Sequence, residues 1–559
     1  MNKLQRTGSN VAEIVIVVLI LAVVNFLGYK FFHRFDMTPT KQYSVSKVTK
    51  DTLAALTDPV NVEFFCSQEL PPNMQLIRDE VKNKLYEYQM YSKGRFKLKV
   101  TDPKDDEKEK ERAQNLGVPE LQVNVVKKDA MSVAKAFFGI ALSYEDKSEA
   151  IPAIQDTGSL EYEITTRLIK LTTAEKPKIG VFSGAFTTSE QQRPPSYQGL
   201  NQLLSGETGL YEIVELDPQR DQQLPDGLKG VIIAGAWGMS DSLKYSLDQF
   251  LMKGGQVIIA VDPMMQPGQQ MGGGQQAYPS LPTIEDQLEK YGVKLNKKLV
   301  ADPPPACAQA PIPTQFGFYL QVQYPLWPNI GPDGMNKLVP AVAPLESLVM
   351  PWCCPLEKVD VPGVTYETVA QTSPASFLIN SPFNLDPQQD WIFLATSSET
   401  KGPFTVVALV SGKIPSAFPE GPPAPKPPPP AAPGEEKPVT TQPQFDASQR
   451  VDQSDGKGRL MVLTSAIALS DNGLKQFQGN GLFLANIVDM LLLGNDLINI
   501  RSAPVTSRPL NPELTEAQKS FFRWMNVLAV PVLLALFGLA LWALKNRRRA
   551  AIQHYYSEK

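Results

Sequence analysis

Two long apolar segments, one near each end, constrain this chain more than any other feature. The first, Ile14 to Leu27, contains no charged residue and, with its apolar neighbours, reaches the roughly 20 residues that a helix needs to cross a bilayer. The second, Trp524 to Leu544, has no ionisable side chain. We therefore predict two transmembrane helices, at residues 11–32 and 521–545, that hold a large folded region between them.

Positive charge indicates the orientation of these helices. Arg547, Arg548 and Arg549 follow the second segment, and basic residues favour the cytoplasmic side of a membrane. Basic residues lie on both sides of the first segment and do not decide its orientation. We predict that residues 1–10 and the tail 546–559 are cytoplasmic, in a bacterial inner membrane, with the region between the helices periplasmic. A cleaved secretory signal is the alternative for the first segment, but its apolar run is too long.

Composition and motifs exclude several functions. The chain is 43% hydrophobic with a formal net charge of -4, which is ordinary for a globular protein and offers no basic field for nucleic acid. Its two histidines, His33 and His554, flank the membrane segments, so the external region has no histidine for catalysis or zinc binding. No P-loop or dinucleotide-binding glycine motif occurs. We expect no cofactor and no metal, and any ATP must be hydrolysed by another subunit.

The cysteines are too few for a disulfide framework. Cys66, Cys307 and the adjacent pair Cys353 and Cys354 are the whole set, and they lack the CxxC spacing of thiolate zinc sites. Because an external compartment permits disulfides, Cys307 is a candidate to bridge with Cys353 or Cys354.

Residues 33–175 show the order of elements βαβαββα, which resembles a thioredoxin-like domain. Val60 to Cys66 is the first predicted strand, and Ser159 to Leu171 is the last predicted helix. Cys66 begins the tetrapeptide where a redox CxxC would lie, but the second cysteine is missing, and Val118-Pro119 occupies the position of a cis-proline. Without a resolving thiol, disulfide exchange cannot be completed, so the domain is predicted to be structural.

Residues 176–414 and 447–520 show strands alternating with helices, which predicts an α/β fold with a buried parallel sheet. This part resembles class I glutamine-amidotransferase-like domains. Where active members carry a nucleophile, the turn Ala234 to Gly238 has neither cysteine nor serine. Three later strands are predicted to rejoin the sheet: Trp391 to Thr396, Phe404 to Val410 and Arg459 to Thr464. The proline-rich stretch 415–446 is predicted to be a disordered linker inserted between the last two.

Several short motifs occur in an order that resembles the GldG family of auxiliary components of ABC-type systems implicated in gliding motility. The motifs are Arg34 to Thr38, Tyr43 to Ser46, Leu160 to Tyr162, Gly254-Gly255, Asn480 to Asp489 and Ile500-Arg501, between the two anchors. The resemblance covers nearly the whole chain and implies two partners, an ABC permease and a separate ATP-binding subunit.

Three polar residues of these motifs form a candidate face for a partner or ligand: Glu161, Asn486 and Asp489. Each also has a purely structural explanation, since Glu161 is favoured at a helix N-terminus by the helix dipole, and the other two share a helix face that could cross-link the sheet. Gly28 and Gly538 are candidate positions for close packing of the membrane helices on another helix.

Two functions therefore remain open. The favoured one is a non-catalytic subunit whose external domains bind a substrate or an envelope partner and whose helices pack on a permease. The alternative is a membrane-anchored hydrolase that uses carboxylates at strand ends, such as Asp217, Asp241 or Asp262, where open α/β sheets bind ligands.

Overall fold

The computed structural model describes residues 19, 23, 45–103, 106–127, 130–154, 157–173, 175–184, 195–207, 210–217, 223–262, 264–265, 276–279, 284–313, 317–423, 445–493 and 516–557. The chain divides into two compact units, Met1–Ala503 and Pro504–Lys559. The predicted membrane helix at residues 11–32 lies outside the described residues, apart from Leu19 and Val23, which are helical. Most of the predicted linker 415–446 also lies outside them.

A four-stranded sheet organises residues 45–173, which we call the first region. Its strands are β1 (Val60–Cys66), β2 (Phe96–Thr101), β5 (Phe138–Tyr144) and β6 (Lys147–Ile151), in the order β2-β1-β5-β6, beside a separate hairpin of β3 (Leu121–Lys127) and β4 (Ala130–Ala136). Strand β1 is parallel to β2 and antiparallel to β5, and β6 is antiparallel to β5. Alternation along β1 directs Val62 and Phe64 into one core and Glu63 and Phe65 to the opposite face.

Four helices cover this sheet: α1 (Lys47–Ala55), α2 (Pro72–Tyr91), α3 (Glu107–Asn115) and α4 (Leu160–Thr172). The elements predicted from the sequence are present, while α1 and strand β4 were missed. Helix α1 begins where the Ser46 hydroxyl accepts a hydrogen bond from the backbone N–H of Thr49 at 3.2 Å. The Val118–Pro119 bond is not among the cis peptides of the structure, so this position does not carry the cis-proline that the sequence led us to expect.

A seven-stranded sheet organises residues 175–493, which we call the second region. Its order is β19-β22-β23-β10-β9-β7-β8, with β7 (Lys178–Ser183), β8 (Glu212–Leu216), β9 (Leu228–Ala234), β10 (Gln256–Ala260), β19 (Val364–Gln371), β22 (Thr405–Gly412) and β23 (Gly456–Leu463). Five neighbouring strands are parallel, as predicted, whereas β22 and β19 are antiparallel. The two strands predicted at Phe404 to Val410 and Arg459 to Thr464 do rejoin the sheet.

Apolar cores lie on both faces of this sheet because consecutive strand residues point to opposite sides. Ile232 and Ile258 belong to one core, and Ile233 and Val257 belong to the other. The helices of this region are α5 (Gln198–Gln202, followed by a π turn, Leu203–Glu207), α6 (Asp241–Met252), α7 (Glu285–Lys290), α8 (Trp391–Ser397), α9 (Asp471–Gln476) and α10 (Gln478–Leu492).

The small sheets formed by strands between β10 and β22 were not predicted from the sequence pattern. The strands are β11 (Met264–Met265), β12 (Gln276–Pro279), β13 (Val293–Leu295), β14 (Leu299–Ala301), β15 (Cys307–Pro313), β16 (Tyr319–Ile330), β17 (Leu348–Val349), β18 (Leu356–Lys358), β20 (Phe377–Ile379) and β21 (Phe383–Asn384). Aromatic rings pack edge to face within this part, among them Tyr324, Trp327 and Trp352.

The strand predicted at Trp391 to Thr396 is wrong, because these residues form helix α8. Asp390 caps the helix by accepting a hydrogen bond from the N–H of Phe393 at 2.9 Å. Trp391 and Leu394, one helical turn apart, pack against the aromatic cluster around Tyr324. The helical spacing of these two side chains prevails over the strand propensity of the segment.

The smaller unit is a single described helix, α11 (Glu516–Ser557). Its segment Arg523–Arg548 has a mean hydropathy of 2.6 over its most apolar stretch. Among the described residues it is the one helix long and apolar enough to cross a membrane, and it matches the second predicted membrane helix at 521–545.

The two ends of the proline-rich insertion are held together on helix α6. The Asp248 carboxylate accepts hydrogen bonds from the Ser416 hydroxyl and the Ala417 N–H, both at 2.7 Å, on the side where the insertion begins. On the returning side, the Gln249 side chain accepts a hydrogen bond from the Val451 N–H at 2.8 Å. The Tyr245 ring contacts phenylalanine rings of both ends, at 5.4 and 4.7 Å between centroids. The insertion therefore starts and finishes at one place.

Deleting Gly421 to Pro433 should change the free energy of unfolding by only about 1 kcal/mol, because shortening a loop whose ends are already fixed alters its closure entropy little. Thermal unfolding of the detergent-solubilised chain would measure this. As the matched comparison, Asp248→Asn should destabilise the protein by about 1–3 kcal/mol, since it leaves buried donors without an acceptor. A deletion that destabilises as much as Asp248→Asn would show that the insertion itself packs on the fold.

Candidate functional site

Glu161 links two helices of the first region. Its side chain is 6% exposed, and Oε1 accepts hydrogen bonds from the Ser46 N–H at 2.8 Å and the Thr49 hydroxyl at 2.9 Å. Oε2 forms an ion pair with Lys84 Nζ at 3.1 Å. Glu161 thus lies in the first turn of α4, as the sequence indicated, but its carboxylate serves the N-terminus of α1, in the way that a capping-box glutamate does.

Tyr162 joins the first region to the second. Its hydroxyl donates to Asp489 Oδ2 at 3.3 Å, and the Tyr211 hydroxyl donates to Asp489 Oδ1 at 2.7 Å. The Tyr162 ring also packs with Val48 and Leu493. We call Tyr162, Tyr211 and Asp489 the clasp. Of the predicted candidates, Asp489 therefore lies at the contact between the two regions, whereas the carboxylate of Glu161 bonds to Ser46, Thr49 and Lys84 within the first region.

Burial determines the chemistry of Asp489. The side chain is 2% exposed, and the loss of hydration raises the pKa of this carboxyl to about 7, although the hydrogen bond from Tyr211 opposes the shift. Burial also raises the pKa of Tyr211 well above its ordinary value. Asp489 therefore changes its charge near neutral pH while remaining enclosed by the protein.

The asparagines of the same motif bond to backbone groups. Asn480 accepts from the Val349 N–H at 3.0 Å, and its amide donates to the carbonyls of Val349 at 2.9 Å and Ala468 at 3.0 Å. Asn486 donates to the Ala341 carbonyl at 3.1 Å. Both side chains are buried, so they cross-link α10 to neighbouring loops. These contacts support the structural explanation of the predicted face at Asn486.

Gly235, in the turn after β9, leaves no space for a side chain. Gly235 has a φ of +76°, and a Cβ atom at this position would lie 2.0 Å from the carbonyl oxygen of Gly184, which follows β7. The Gly184 N–H in turn donates to the carbonyls of Ala234 and Gly235, both at 3.1 Å. The ends of β7 and β9 therefore approach each other through the backbone atoms of Gly184 and Gly235.

Carboxylates at the same edge of the sheet have partners in the protein. Asp262 Oδ1 accepts from the N–H groups of Ala466 at 2.8 Å and Ile467 at 3.2 Å, while burial raises its pKa to about 6. Asp241 forms an ion pair with Lys244 at 3.0 Å in the first turn of α6. Asp217 is exposed beyond the end of β8. The three carboxylates that were candidates for hydrolase chemistry thus lie in different environments. Asp262 stabilises a turn.

All four cysteines are free thiols in the structure, so the predicted bridge from Cys307 to Cys353 or Cys354 is not formed. The Cys307 thiol donates to Gln323 Oε1 at 3.3 Å. Cys353 and Cys354 point into the cores on opposite faces of the seven-stranded sheet. Burial raises the pKa of Cys66 to about 11, which disfavours the reactive thiolate.

A groove of about 640 Å³ lies beside helix α3 in the first region, and the sequence analysis missed it. Its lining includes four basic side chains and two acidic ones: Lys97, Lys99, Lys108, Arg112, Glu63 and Glu111. Buried Glu63 is neutralised by Lys99 at 2.9 Å and Arg112 at 2.8 Å. The registers that place Lys97 beside Asn61 and Lys99 beside Glu63 account for this charge pattern. The groove has an excess of positive charge.

The chain is similar to known families and to a known relative over most of its length. A family model described as an ABC-type uncharacterized transport system matches residues 176–492, and a domain of unknown function (DUF7088) matches residues 39–143. An uncharacterized protein of Borreliella burgdorferi is 23% identical over 556 residues, covering 98% of this chain and 99% of the relative. The solved structure of the mmIFT52 N-terminal domain aligns with 56% of this chain and 97% of its own length, at 15% identity and a TM-score of 0.29.

Replacing Asp489 should change how stability depends on pH. Because its pKa is about 7 in the folded protein and about 4 in an unfolded chain, the folded state alone holds this proton between those values. The contribution of Asp489 to the free energy of unfolding therefore falls as pH rises from about 4 to 7. Asp489→Asn cannot ionise, so its stability relative to wild type should rise by up to about 4 kcal/mol from pH 4 to pH 8.

Unfolding of both proteins at pH 4 and pH 8 would measure the difference, and the contribution of Asp262 cancels because both proteins retain it. The exposed residue Asp360 offers a matched control, since Asp360→Asn should follow the wild-type profile. If Asp489→Asn also follows the wild-type profile, the carboxyl of Asp489 does not titrate as the structure indicates.

Proposed function

The chain belongs to the family described as an ABC-type uncharacterized transport system, and from this premise we propose that it is a non-catalytic auxiliary subunit of such a system. In this proposal its folded regions lie outside the cytoplasm and bind a substrate or an envelope partner. Its membrane helices pack on an ABC permease, and a separate subunit hydrolyses ATP. The observation that carries the non-catalytic assignment is the turn after β9, in which Ala234 to Gly238 include no cysteine or serine and Gly235 has no room for a side chain.

The geometry of that turn is unfavourable for hydrolase chemistry. Any side chain at Gly235 would collide with the Gly184 carbonyl, so a cysteine or serine nucleophile cannot be accommodated without moving backbone. Asp262, the enclosed carboxylate nearby, directs Oδ1 at two backbone N–H groups and thereby secures the turn after β23. Both observations count against hydrolase chemistry at this edge.

Strand order supports the two domain assignments. The order β2-β1-β5-β6, with β1 parallel to β2 and antiparallel to β5, agrees with a thioredoxin-like first domain that has lost its redox cysteine pair. The parallel run β8-β7-β9-β10-β23 agrees with a glutamine-amidotransferase-like second domain. We assign residues 33–175 to the first and residues 176–414 with 447–520 to the second.

The clasp supports a role in coupling. Asp489 accepts hydrogen bonds from a tyrosine hydroxyl of each domain. A displacement of one domain would therefore also move the other. Breaking such a contact leaves a buried carboxylate without its hydrogen-bond donors. Positions of the two domains in which the contact is only partly made are therefore unfavourable. In this proposal, movement of the permease switches the two external domains between a small number of discrete relative positions.

The basic groove beside α3 supports an envelope partner with acidic groups. Lys99 and Arg112 pair with Glu63 and Glu109, and the remaining lining charges, Lys97 and Lys108 against Glu111, leave a small positive excess to attract an anionic segment. Such a segment would lie across the sheet face that the short helix α3 leaves uncovered. The resemblance to GldG adds gliding motility as the setting in which this partner would act.

Co-expression with an ABC permease and its ATPase should yield a complex, while the purified chain alone should hydrolyse neither ATP nor amides or esters. Gly538→Leu should lower the yield of the complex severalfold, because a bulky side chain prevents close helix packing. Gly28, outside the described residues, should respond in the same way. Affinity purification followed by mass spectrometry measures the yield.

Leu536→Phe provides a matched control, since Leu536 lies almost opposite Gly538 around α11 and a larger side chain there should leave the yield unchanged. Unchanged yields for both Gly538→Leu and Gly28→Leu would refute packing through these faces. Hydrolysis by the isolated chain that disappears in Asp262→Asn would instead support the alternative, a carboxylate-dependent hydrolase.

Topology can be tested separately. A reporter fused after Lys559 should be active in the cytoplasm because of the basic cluster Arg547 to Arg549, and a tag inserted between Ala424 and Ala432 should be accessible from outside. Protease and impermeant-label accessibility in intact cells and spheroplasts measure both. A C-terminal reporter found outside would overturn the proposed architecture.

A further inference from the structure

A stretch of the second region is free of charge. Residues 303–332 contain no aspartate, glutamate, lysine, arginine or histidine, in a chain of which 20% of residues are charged. At that frequency about six charged residues would be expected over such a length. Because lysine and glutamate normally cover exposed strands, their absence here is a property that needs a physical reason.

The structure folds this stretch into a hairpin. Strand β15 pairs with β16 from Gln309 opposite Gln323 to Ile312 opposite Leu320 and beyond. Strand β17 pairs with β16 only at Asn329 and Ile330, near its other end. In the described part of the chain, the outer half of the hairpin is therefore a two-stranded arm.

Apolar side chains at the tip of this arm are exposed. Phe318, Tyr319 and Leu320 have 57%, 68% and 50% of their surface accessible. Single exposed apolar residues are common, but three consecutive ones on an uncharged arm form a surface suited to an apolar environment.

The base of the arm is fixed in place. Tyr324, on the same strand as the tip, is 2% exposed and donates its hydroxyl to the Leu385 carbonyl at 2.7 Å. The Trp352 indole N–H donates to the Tyr324 hydroxyl at 3.3 Å, and Trp327 and Trp391 pack edge to face on the same ring. The tip is thus presented by an ordered support, which lowers the entropy cost of binding.

We propose that the tip, Phe318 to Leu320, inserts into the interfacial layer of the lipid bilayer that anchors the chain. Phenylalanine, tyrosine and leucine suit the boundary between headgroups and acyl chains, where tyrosine can keep its hydroxyl in water. The anchoring helix provides the bilayer. This inference rests on the proposed membrane anchoring.

Because the arm carries no charge, insertion of its tip should not require anionic lipid. Without lysine or arginine in residues 303–332, anionic headgroups contribute nothing to insertion by electrostatic attraction. Insertion of the tip should therefore occur in neutral phosphatidylcholine and should be insensitive to salt. A protein partner would instead cover the tip without bringing it near acyl chains.

The test places an environment-sensitive fluorophore at the tip of the full-length chain, reconstituted in phosphatidylcholine vesicles. The four native thiols are buried, so Phe318→Cys is the site that labels, with unsubstituted protein as the labelling control. We expect blue-shifted emission, at least twofold quenching by lipids spin-labelled near the headgroup, and protection from iodide. Asp360→Cys, on an exposed charged strand connection, should show iodide quenching only.

A second label at Leu533→Cys, within the anchoring helix, separates the two hypotheses. If this label is quenched by spin-labelled lipid while the tip is quenched only by iodide, the arm is in water and the insertion proposal fails while anchoring stands. A tip protected from both quenchers also overturns the proposal, because protein then covers it. Absence of lipid quenching at Leu533 overturns the anchoring itself and the insertion with it.

Substitutions beside the label test the chemistry of insertion. Phe318→Asp with Leu320→Asp should abolish lipid quenching of a fluorophore at Tyr319→Cys, whereas Phe318→Leu with Leu320→Phe should retain it. Both pairs should leave the thermal unfolding midpoint unchanged, since these exposed side chains contribute little to folding. Equal quenching in the two variants would refute insertion through an apolar tip.

Discussion

A buried carboxylate holds the two folded regions together. Asp489 is 2% exposed, and a charge in that position is tolerated only with hydrogen-bond donors around it. Tyr162 supplies one donor from the first region, and Tyr211 supplies another from the second. Removing either tyrosine hydroxyl would leave Asp489 with fewer donors in apolar surroundings, at a cost of about 1–3 kcal/mol. The junction therefore depends on a directional polar contact in addition to apolar packing.

Local patterns in the sequence predicted most of the two main sheets. Alternation at Val60 to Cys66 and the apolar runs of β9 and β10 are signals within a few residues, and the structure confirms those strands. Strand β22 was predicted but could not be oriented, and β19 was not predicted, because sheet pairing is decided by contacts distant in sequence. The segment at Trp391 has strand propensity, yet a single cap at Asp390 and packing at helical spacing make it a helix.

The candidate site was predicted only in part, for the same physical reason. Glu161 and Asp489 stood out as polar residues within apolar motifs, but their partners Ser46 and Tyr211 lie 115 and 278 residues away. Periodicity carries no information over such distances. Tyr211 precedes an ordinary strand and offered no signal of its own. The close approach of Gly184 and Gly235 was likewise hidden, although the missing nucleophile in that turn was visible in the sequence.

The hydrogen bonds from α6 to both ends of the proline-rich insertion have a consequence for how this protein can vary. Asp248 and Gln249 fix the points where the chain leaves and re-enters the sheet, so the length and composition of what lies between them place no strain on β22 or β23. This position is therefore an insertion site that can accommodate an independently folded domain whose termini lie close together. Relatives of this chain are free to acquire or lose a whole module there while the scaffold around it stays the same.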